Sequence, residues 1–447
     1  MRIIEFTGKK VHNYIDFNIK LNTDLSILIG SNGSGKTSSL LLLQAIICPN
    51  FKDLFSIPFD YLELELNYKK NEIIKVTKTD KEIIIQIDGF PEPLQIDSNL
   101  YEEMEYLRMK QKEVGDINEL IYNRFGKHKV IAFIKELPSP LFLNLERRNE
   151  YSSFEGDELA MERRRYMIMS RNREGLSKYK RQFQGTLGVS LLETEFLIQE
   201  HYRRLRAFED NYMSRLKDEI LFSSFEYIPF DHEKLNNIKE KRELLSKKDE
   251  IEDALRRIGY SDNQKFFNKL NDFFSKVEKL LISPEKDKSG GGLHIELLTN
   301  QYQIEKLSKV AEIIDDFNSK INDKFKVFNK FLNIINSFFA DTKKSVHVDK
   351  VGHLYIKRPN GETVPIDALS SGERQILIMF ANVMFNKGAS DNILIIDEPE
   401  LSLHIRWQER FVESLIDASS NTQFILATHS PDIVGDFKTK CVKVKND

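Results

Sequence analysis

The sequence predicts an α/β fold with an antiparallel β lobe and a large inserted helical region. Three observations predict it: an apolar strand at residues 25–29 runs into a glycine-rich loop and a helix, period-two alternation marks strands within residues 61–87, and charge-rich helical sequence fills residues 149–340. We therefore predict that residues 1–148 and 341–447 are the two parts of one α/β domain, separated by a helical arm at 149–340.

Length and composition narrow the class of protein. The chain has 447 residues, a formal net charge of −3 and two cysteines, Cys48 and Cys441, near opposite ends. The length is sufficient for more than one domain. The near-neutral charge neither requires nor excludes nucleic acid, because a local basic patch fits within a neutral total. We expect reduced cysteines, a cytoplasmic protein and no membrane partner, since neither a signal peptide nor a membrane span is evident.

The glycine-rich loop fits the phosphate-binding pattern G-x-x-x-x-G-K-[ST] at every defined position. Its glycines allow backbone N–H groups to turn toward phosphates, and the following helix N-terminus favours negative charge. Lys36 is expected to reach the β- and γ-phosphates, and the Thr37 hydroxyl to bind Mg²⁺. An ordinary glycine turn is the alternative, but the order of strand, loop and helix argues against it. The predicted ATP-binding residues are Gly30, Ser31, Asn32, Gly33, Ser34, Gly35, Lys36, Thr37 and Ser38.

The N-terminal lobe is predicted to be built from antiparallel strands. Apolar and polar residues alternate in most of its segments, and polar turns separate them. We expect the strand that enters the glycine-rich loop to belong to a small antiparallel sheet formed within residues 1–30, and the later strands to form a β-meander. The predicted strands lie at residues 3–6, 15–19, 25–29, 61–66, 72–76 and 82–87.

Residues 301–339 are the clearest helix of the insertion. Apolar residues recur there at steps of three, four or seven, which places one apolar stripe along a long helix. We favour core packing within a helical hairpin or short coiled-coil arm over a partner-binding face. Segments 232–258 and 262–282 are also predicted to be helical, and residues 289–292 a flexible break.

Three further motifs follow the insertion. Asp397 and Glu398 end an apolar strand, where the first carboxylate can hold Mg²⁺ and the second can orient and deprotonate an attacking water. His429 closes the next strand and can hydrogen-bond a γ-phosphate. Taken singly, these residues could be a solvated acidic strand end and a core Thr–His pair. Their joint order after the glycine-rich loop favours a catalytic site. The motifs occupy residues 369–375, 392–400 and 423–431.

In this order, the motifs resemble the signature, Walker B and switch-histidine motifs of ABC-type ATPases. The resemblance implies an ABC-type P-loop ATPase head, with ATP and Mg²⁺ as cofactors. It also implies that the signature of one protomer covers the nucleotide on the P-loop of another, so that ATP joins two heads and hydrolysis releases them. The residues expected to act in trans are Ser370, Ser371, Gly372 and Glu373.

Departures from the transporter pattern point to the SMC-like, RecF-like and OLD-like branch. Ser371 and Glu373 stand where transporters usually have glycine and glutamine, and residues 397–404, D-E-P-E-L-S-L-H, resemble the DEPE-x-x-LH form of that branch. Between Thr37 of the P-loop and Leu369 of the signature lie 331 residues, a large insertion that transporter heads do not have. OLD nucleases carry a nuclease domain after the ATPase, but only 17 residues follow Ser430, so we expect no nuclease in this chain.

A stand-alone ATPase of this kind resembles the ATPase subunits of two-component bacterial anti-phage systems, AriA of PARIS and PtuA of Septu. The resemblance implies an ATPase that oligomerises and controls a separate effector, often a nuclease. Residues 141–148, L-F-L-N-L-E-R-R, resemble the strand and T-x-R-R-type segment of those ATPases. Arg147 and Arg148 would then act on the nucleotide or across the interface, and a solvated basic pair is the alternative.

A basic segment of the insertion would suit a rival function. Aromatic residues are interleaved with its basic residues, and phosphate contacts with nucleic acid would suit such a stretch. Solvated helix faces are the alternative, because Glu193, Glu195 and Glu200 soon restore the charge balance. The second hypothesis is therefore an SMC-like or RecF-like DNA-repair ATPase that clamps DNA directly, and the third is a regulatory ATPase without an effector. The basic residues are Arg163, Arg164, Arg165, Arg171, Arg173, Lys178, Lys180 and Arg181, followed by Arg203, Arg204 and Arg206.

Overall fold

The computed structural model describes residues 1–109, 117–144, 186–225, 238–256, 264–282, 292–386 and 393–444. Residues 1–200 and 330–447 form one compact unit, and residues 201–329 form a second. The first unit is a mixed α/β domain, so the predicted fold class is confirmed. The predicted division at 148/149 and 340/341 stays a prediction, and the first of these positions lies outside the described residues.

The described strands of the first unit form three sheets. Numbered along the chain, these strands are β1 (Arg2–Val11), β2 (Ile15–Lys20), β3 (Leu25–Ile29), β4 (Tyr61–Asn67), β5 (Asn71–Lys78), β6 (Glu82–Ile87), β7 (Leu94–Asp97), β8 (Leu141–Asn144), β9 (Ser345–Val348), β10 (Leu354–Lys357), β11 (Thr363–Pro365), β12 (Ile393–Asp397), β13 (Gln423–Ala427) and β14 (Cys441–Lys443). The six-stranded sheet is antiparallel, in the order β2-β1-β4-β5-β6-β7. A three-stranded antiparallel sheet has the order β11-β10-β9, and a five-stranded parallel sheet has the order β14-β3-β13-β12-β8.

The predicted β-meander is confirmed, and β7 extends it by one strand. Burial alternates along β4, where Leu62, Leu64 and Leu66 are buried and the residues between them are more exposed. The prediction that β3 belongs to the antiparallel sheet is wrong. β3 pairs in parallel with β13 and β14, and its first four residues are all buried. Strands of parallel sheets are covered on both faces and so lack the alternation of an antiparallel strand.

The side chain of Gln423 joins the parallel sheet to the antiparallel sheet. Its Oε1 accepts a hydrogen bond from the Ile3 N–H at 2.8 Å, and its Nε2 donates to the carbonyls of Ile3 and Asn22, each at 2.8 Å. Gln423 is fully buried, so these bonds are the pairing that a buried amide requires. The antiparallel lobe is thereby fixed beside the strands whose ends carry the predicted site.

The helices agree with most of the predicted segments. The long helix of the insertion begins at Gly292, earlier than predicted, and residues 289–291 of the predicted break lie outside the described residues. Within the described ranges, no helix is both long and apolar enough to cross a bilayer. The helices are α1 (Lys36–Ile47), α2 (Phe51–Ser56), α3 (Asn99–Met109), α4 (Ile117–Phe125), α5 (Lys129–Glu136), α6 (Thr186–Phe225), α7 (Ile238–Ser246), α8 (Lys248–Leu255), α9 (Gln264–Ile282), α10 (Gly292–Phe339), α11 (Ser371–Phe385), α12 (Ile405–Ala418) and α13 (Pro431–Val434).

The second unit consists of helical segments around an apolar core. Phe267 and Phe274 of α9 pack there with Ile314 and Phe317 of α10. The apolar stripe of α10 therefore serves core packing, as the sequence predicts. Both α6 and α10 cross the boundary between the units, because α6 begins and α10 ends in the first unit.

Candidate nucleotide-binding site

The glycine-rich loop joins β3 to α1, and two glycines give it its shape. Gly33 and Gly35 have φ of 78° and 91°, in the left-handed region that residues with a Cβ rarely adopt. A Cβ on Gly30 would lie 2.6 Å from the Oγ of Ser34. The close approach of Ser34 is therefore the reason for glycine at position 30. Within the described structure, this Ser34 Oγ is buried without a hydrogen-bond partner. A buried hydroxyl of this kind fits a loop that binds an anionic ligand.

The ammonium of Lys36 turns back over the loop. Its Nζ donates to the carbonyls of Gly30 at 2.9 Å and Ser31 at 3.2 Å, and it lies 3.5 Å from Nδ1 of His429. Only 5% of the side chain's surface is exposed. Hydrogen bonds from an ammonium to neutral carbonyls are weaker than those to phosphate oxygens, so a phosphate could replace them.

Three carboxylates act electrostatically on the buried ammonium. Burial lowers the pKa of Lys36, and the negative charges of Asp397, Glu398 and Glu400 oppose that effect. The ends of β3 and β12 are therefore close in space, as the parallel order of the sheet requires. The structure brings the glycine-rich loop together with the predicted acidic motif and with the predicted histidine.

Asp397 and Thr37 have the chemistry of a ligand pair for a divalent cation. Burial raises the pKa of Asp397, whereas a hydrogen bond from the Thr37 side chain lowers it. The Oδ1 atom of Asp397 is buried and, in the part of the chain that the structure describes, accepts no hydrogen bond. A hard cation such as Mg²⁺ prefers carboxylate and hydroxyl oxygens. The residues present therefore fit Mg²⁺.

Glu398 is held in an unusual backbone conformation. Its φ is 50°, in the left-handed region, where non-glycine residues are uncommon. Its N–H donates to the carbonyl of Ala427 at 2.8 Å, and its carbonyl accepts from the N–H of Leu401 at 3.1 Å. The side chain is half-buried. Backbone strain of this kind is often found at residues of active sites and ligand-binding sites.

Glu400 is a site residue for which the sequence interpretation assigned no role. One carboxylate oxygen accepts the hydroxyl of Thr428 at 2.7 Å, and the other accepts the backbone N–H of His429 at 2.8 Å. The Thr428 hydroxyl in turn accepts the N–H of Ser430 at 3.0 Å. Glu400 therefore fixes the segment that carries the predicted histidine. The D-E-P-E pattern contains the carboxylate, but only the adjacency of β12 and β13 identifies its partners.

The signature segment begins α11 with a capping box. Ser370 is the N-cap: its Oγ accepts the N–H of Glu373 at 3.4 Å, and the Glu373 carboxylate accepts the N–H of Ser370 at 2.8 Å. Ser370 and Ser371 are exposed, whereas Gly372 and Glu373 are buried. The exposed serines fit a surface that meets a second molecule.

Gly372 allows the start of α11 to contact the loop after β12. A Cβ at this position would lie 2.4 Å from the carbonyl oxygen of Ser402 and 3.7 Å from a ring carbon of Trp407. Ser402 itself has a φ of 63°. The signature glycine is therefore needed for close packing against the loop that carries Glu398 and Glu400.

A histidine that the sequence interpretation did not select lies beside α1. The Nε2 atom of His12 is 2.8 Å from the Oγ of Ser38, the last of the predicted ATP-binding residues. His12 and Asn13 both have positive φ, in the turn between β1 and β2. No motif signals this contact, because it depends on the fold of the antiparallel lobe.

The predicted basic residues fall into two groups. Arg147, Arg148 and the basic residues from Arg163 to Arg181 lie outside the described residues. The second basic cluster is on α6, where the Arg206 guanidinium pairs with Glu209 and Arg203 and Arg204 are exposed.

Comparison with known proteins gives one family. A family model described as "AAA ATPase domain" matches residues 10–434. Solved structures of Smc head domains match the whole length at low similarity. One is the Smc head domain with an extended coiled coil bound to the C-terminal domain of ScpA from Pyrococcus furiosus, with a TM-score of 0.39 and 12% identity over 99% of this chain and 93% of that one.

The relatives that match parts of the chain include two retron ATPases and a Rad50 ATPase. The retron Vc95 probable ATPase of Vibrio cholerae serotype O1 biovar El Tor is 28% identical over 200 residues, 40% of this chain and 38% of that protein. The DNA double-strand break repair Rad50 ATPase of Sulfolobus acidocaldarius is 25% identical over 221 residues, 42% of this chain and 25% of that protein. The retron Ec83 probable ATPase of Escherichia coli is 27% identical over 127 residues, 26% of this chain and 23% of that protein. The chain thus spans well under half the length of these relatives.

Proposed function

Because the chain belongs to the AAA ATPase domain family, we propose that it binds ATP at the glycine-rich loop and hydrolyses it in an ATP-dependent dimer that controls a separate effector. The family and the ATPases among its relatives confirm the predicted enzyme class, so the chain is an ATPase. One observation carries the proposed site: the ammonium of Lys36 contacts the loop carbonyls, lies 3.5 Å from His429 and is under the electrostatic influence of three carboxylates.

The loop and its lysine would bind the triphosphate. Residues Gly30 to Ser38 would offer backbone N–H groups to the phosphates, and Lys36 would exchange the carbonyls of Gly30 and Ser31 for phosphate oxygens. Thr37 and Asp397 would hold Mg²⁺, which neutralises charge on the phosphates when it is bound.

Two side chains would serve hydrolysis. Glu398 would orient and deprotonate the attacking water, since it follows Asp397 directly and its backbone is fixed in an uncommon conformation. His429 would hydrogen-bond the γ-phosphate, because its ring already lies 3.5 Å from the Lys36 ammonium. Phosphoryl transfer needs positioning and charge neutralisation more than covalent catalysis, so these roles are sufficient.

The signature would complete the site of a second copy. Ser370 and Ser371 are exposed at the start of α11, where helix N–H groups favour an anion. In the proposed dimer, Ser370, Ser371, Gly372 and Glu373 of each protomer cover the nucleotide bound by its partner. ATP would therefore stabilise the dimer, and hydrolysis would release it.

We further propose that this cycle makes the protein the scaffold and sensor of a bacterial anti-phage system. Two relatives are named as probable ATPases of retrons, which supports an ATPase that works as one component of a larger system. The motif forms that resemble the AriA and PtuA subunits support the same role. The effector would be a separate protein of the nuclease class that the resemblance implies.

A direct DNA clamp is the second candidate function. The relative named as the Rad50 ATPase of DNA double-strand break repair favours it. The exposed Arg203 and Arg204 on α6 would supply phosphate contacts. In this case DNA itself, and no protein effector, would be the partner.

One purification separates the two functions. The Glu398→Gln variant should bind ATP without hydrolysing it, and so should trap the ATP-bound assembly. It would be purified with ATP and Mg²⁺ from the organism that encodes it, with Lys36→Ala as the control that should not bind ATP. Mass spectrometry and nuclease digestion would then identify bound protein and bound DNA.

A stoichiometric protein partner with Glu398→Gln and not with Lys36→Ala would support the scaffold. DNA without a protein partner would replace it with the clamp. If Lys36→Ala retains normal ATP affinity, the proposed nucleotide site itself is wrong.

A further inference from the structure

The carboxylate of Glu373 in the signature is buried and accepts hydrogen bonds from several neighbouring residues. Its side chain is 1% exposed and forms an ion pair with Lys344, whose Nζ lies 2.9 Å from one oxygen and 3.0 Å from the other. The Thr342 hydroxyl lies 3.2 Å from the first of these oxygens. Burial would raise the pKa of Glu373, but hydrogen bonds from Ser370 and Lys344 lower it below its ordinary value. The carboxylate is therefore ionised and fully paired at neutral pH.

Both donors of the signature serine are bound to this carboxylate. The N–H and the hydroxyl of Ser370 lie 2.8 Å and 3.0 Å from the same oxygen of Glu373. Because Ser370 is exposed, its hydroxyl can turn outward without breaking the capping box. It can then donate to an oxygen of another molecule, while its N–H stays on Glu373.

The groups that neutralise Glu373 come from the segment directly after α10. That helix ends at Phe339, and residues Ala340–Thr342 form a short 3₁₀ turn. The Thr342 hydroxyl also lies 3.0 Å from the Phe339 carbonyl, so its one proton is shared between the helix end and the Glu373 carboxylate. Lys343 has a φ of 54° and separates the two residues that contact Glu373.

We propose that Glu373 is a positioning residue for Ser370, and that Lys344 and Thr342 keep its carboxylate paired when the Ser370 hydroxyl turns to the γ-phosphate on a partner protomer. This inference rests on the proposed function, because it requires ATP-bound dimers. It deepens that function by making dimer formation depend on the residues that follow α10. Without Lys344, the buried carboxylate would retain the Ser370 hydroxyl as one of its few remaining donors.

Dimer affinity in the Glu398→Gln background tests the proposal. Sedimentation velocity with ATP and Mg²⁺ gives the dimer Kd, and a fluorescent ATP analogue at low protein concentration gives the nucleotide Kd. Lys344→Met should weaken the dimer by about tenfold or more, the loss of roughly one charged hydrogen bond, and leave nucleotide affinity within about twofold. Lys343→Met removes the same charge one residue away and should change both constants by less than about twofold.

Two variants separate positioning from folding. Lys344→Arg keeps the cation and should stay within about threefold of the parent dimer Kd. Thr342→Val removes one contact and should weaken the dimer by about threefold without loss of helical circular dichroism. An unchanged dimer Kd in Lys344→Met, or in Thr342→Val if Lys344→Met does not fold, would overturn the proposal.

The same measurements distinguish a failure of the proposed function. If the Glu398→Gln parent forms no ATP-dependent dimer, or if it dimerises and Ser370→Ala leaves the dimer Kd unchanged, the proposed trans site is wrong and this inference falls with it. If the parent dimerises and Ser370→Ala weakens the dimer while Lys344→Met does not, only the role of Glu373 and its partners is wrong.

Discussion

Replacing Glu400 with alanine should slow ATP turnover without weakening ATP binding. The carboxylate accepts the Thr428 hydroxyl and the His429 N–H, and those bonds fix the direction of the histidine. The change also removes a negative charge close to Lys36 and Asp397. The two effects act on different steps, because the first concerns catalysis and the second concerns the binding of an anion.

The magnitude follows from the two lost hydrogen bonds. A hydrogen bond to a charged group contributes about 1.5–3 kcal/mol. Water can replace the lost partner of His429 because this residue is exposed, and the Thr428 hydroxyl still accepts the N–H of Ser430. We therefore expect a net cost of about 2 kcal/mol in the positioning of His429, which corresponds to a decrease in kcat of about 30-fold. Loss of a negative charge near the phosphates should leave ATP affinity equal or higher.

Steady-state phosphate release gives kcat and KM for Glu400→Ala, and a fluorescent ATP analogue gives the affinity. Glu409→Ala is the matched control, since Glu409 is an exposed glutamate on α12. A kcat within about twofold of the unmodified protein would show that Glu400 does not position His429. A large decrease in ATP affinity would show that the removed charge acts in binding, contrary to the reasoning.

The remaining predictions concern packing, stability and pH. Gly372→Ala should decrease kcat by about tenfold or more, because its Cβ would lie 2.4 Å from the Ser402 carbonyl oxygen and displace the start of α11; ATP affinity should be unchanged in the same assays. Lys78→Met should lower the free energy of unfolding by about 2 kcal/mol, since the Lys78 Nζ donates to three backbone carbonyls at the end of α2; urea titration against the exposed-residue control Lys81→Met measures this, and equal midpoints would contradict it. Asp397→Asn should raise the melting temperature of the nucleotide-free protein at pH 7, because burial raises the pKa of Asp397 and so makes its ionised form costly. The gain in melting temperature should appear as pH rises above the pKa of Asp397 in the unfolded chain, should be full above its pKa in the folded protein and should disappear in strong acid. A gain that grows toward acid would contradict this reasoning.

Local sequence patterns predicted the elements in which buried and exposed residues follow a regular period. Alternation identified β4, β5 and β6 because one face of each strand is buried and the other is exposed. The same reasoning failed for β3, whose apolar run does not reveal which sheet it joins. β7 was missed because it has only four residues and follows a turn that contains two prolines.

The site was predictable where a motif and its chemistry coincide. The loop lysine, the acidic strand end and the histidine were expected to meet; Lys36 lies 3.5 Å from His429 and is under the electrostatic influence of the acidic residues. The partners of Glu400 and the distant partners of Glu373 could not be predicted, because they are 28 to 31 residues away in sequence and are set by strand order and by the segment after α10. Their roles in catalysis and in dimer formation remain proposals for the experiments above.

The arrangement implies a way in which nucleotide could affect the rest of the fold. Thr37, Ser370 and the His429 backbone each donate to a neighbouring carboxylate, on Asp397, Glu373 and Glu400 respectively. A carboxylate accepts hydrogen bonds and cannot donate them, so it competes with phosphate oxygens for the same donors. When nucleotide takes a donor from one of these carboxylates, the cation or hydroxyl that remains must pair with that carboxylate. For Glu373 these are Lys344 and Thr342. We therefore expect ATP binding to affect the segment directly after α10.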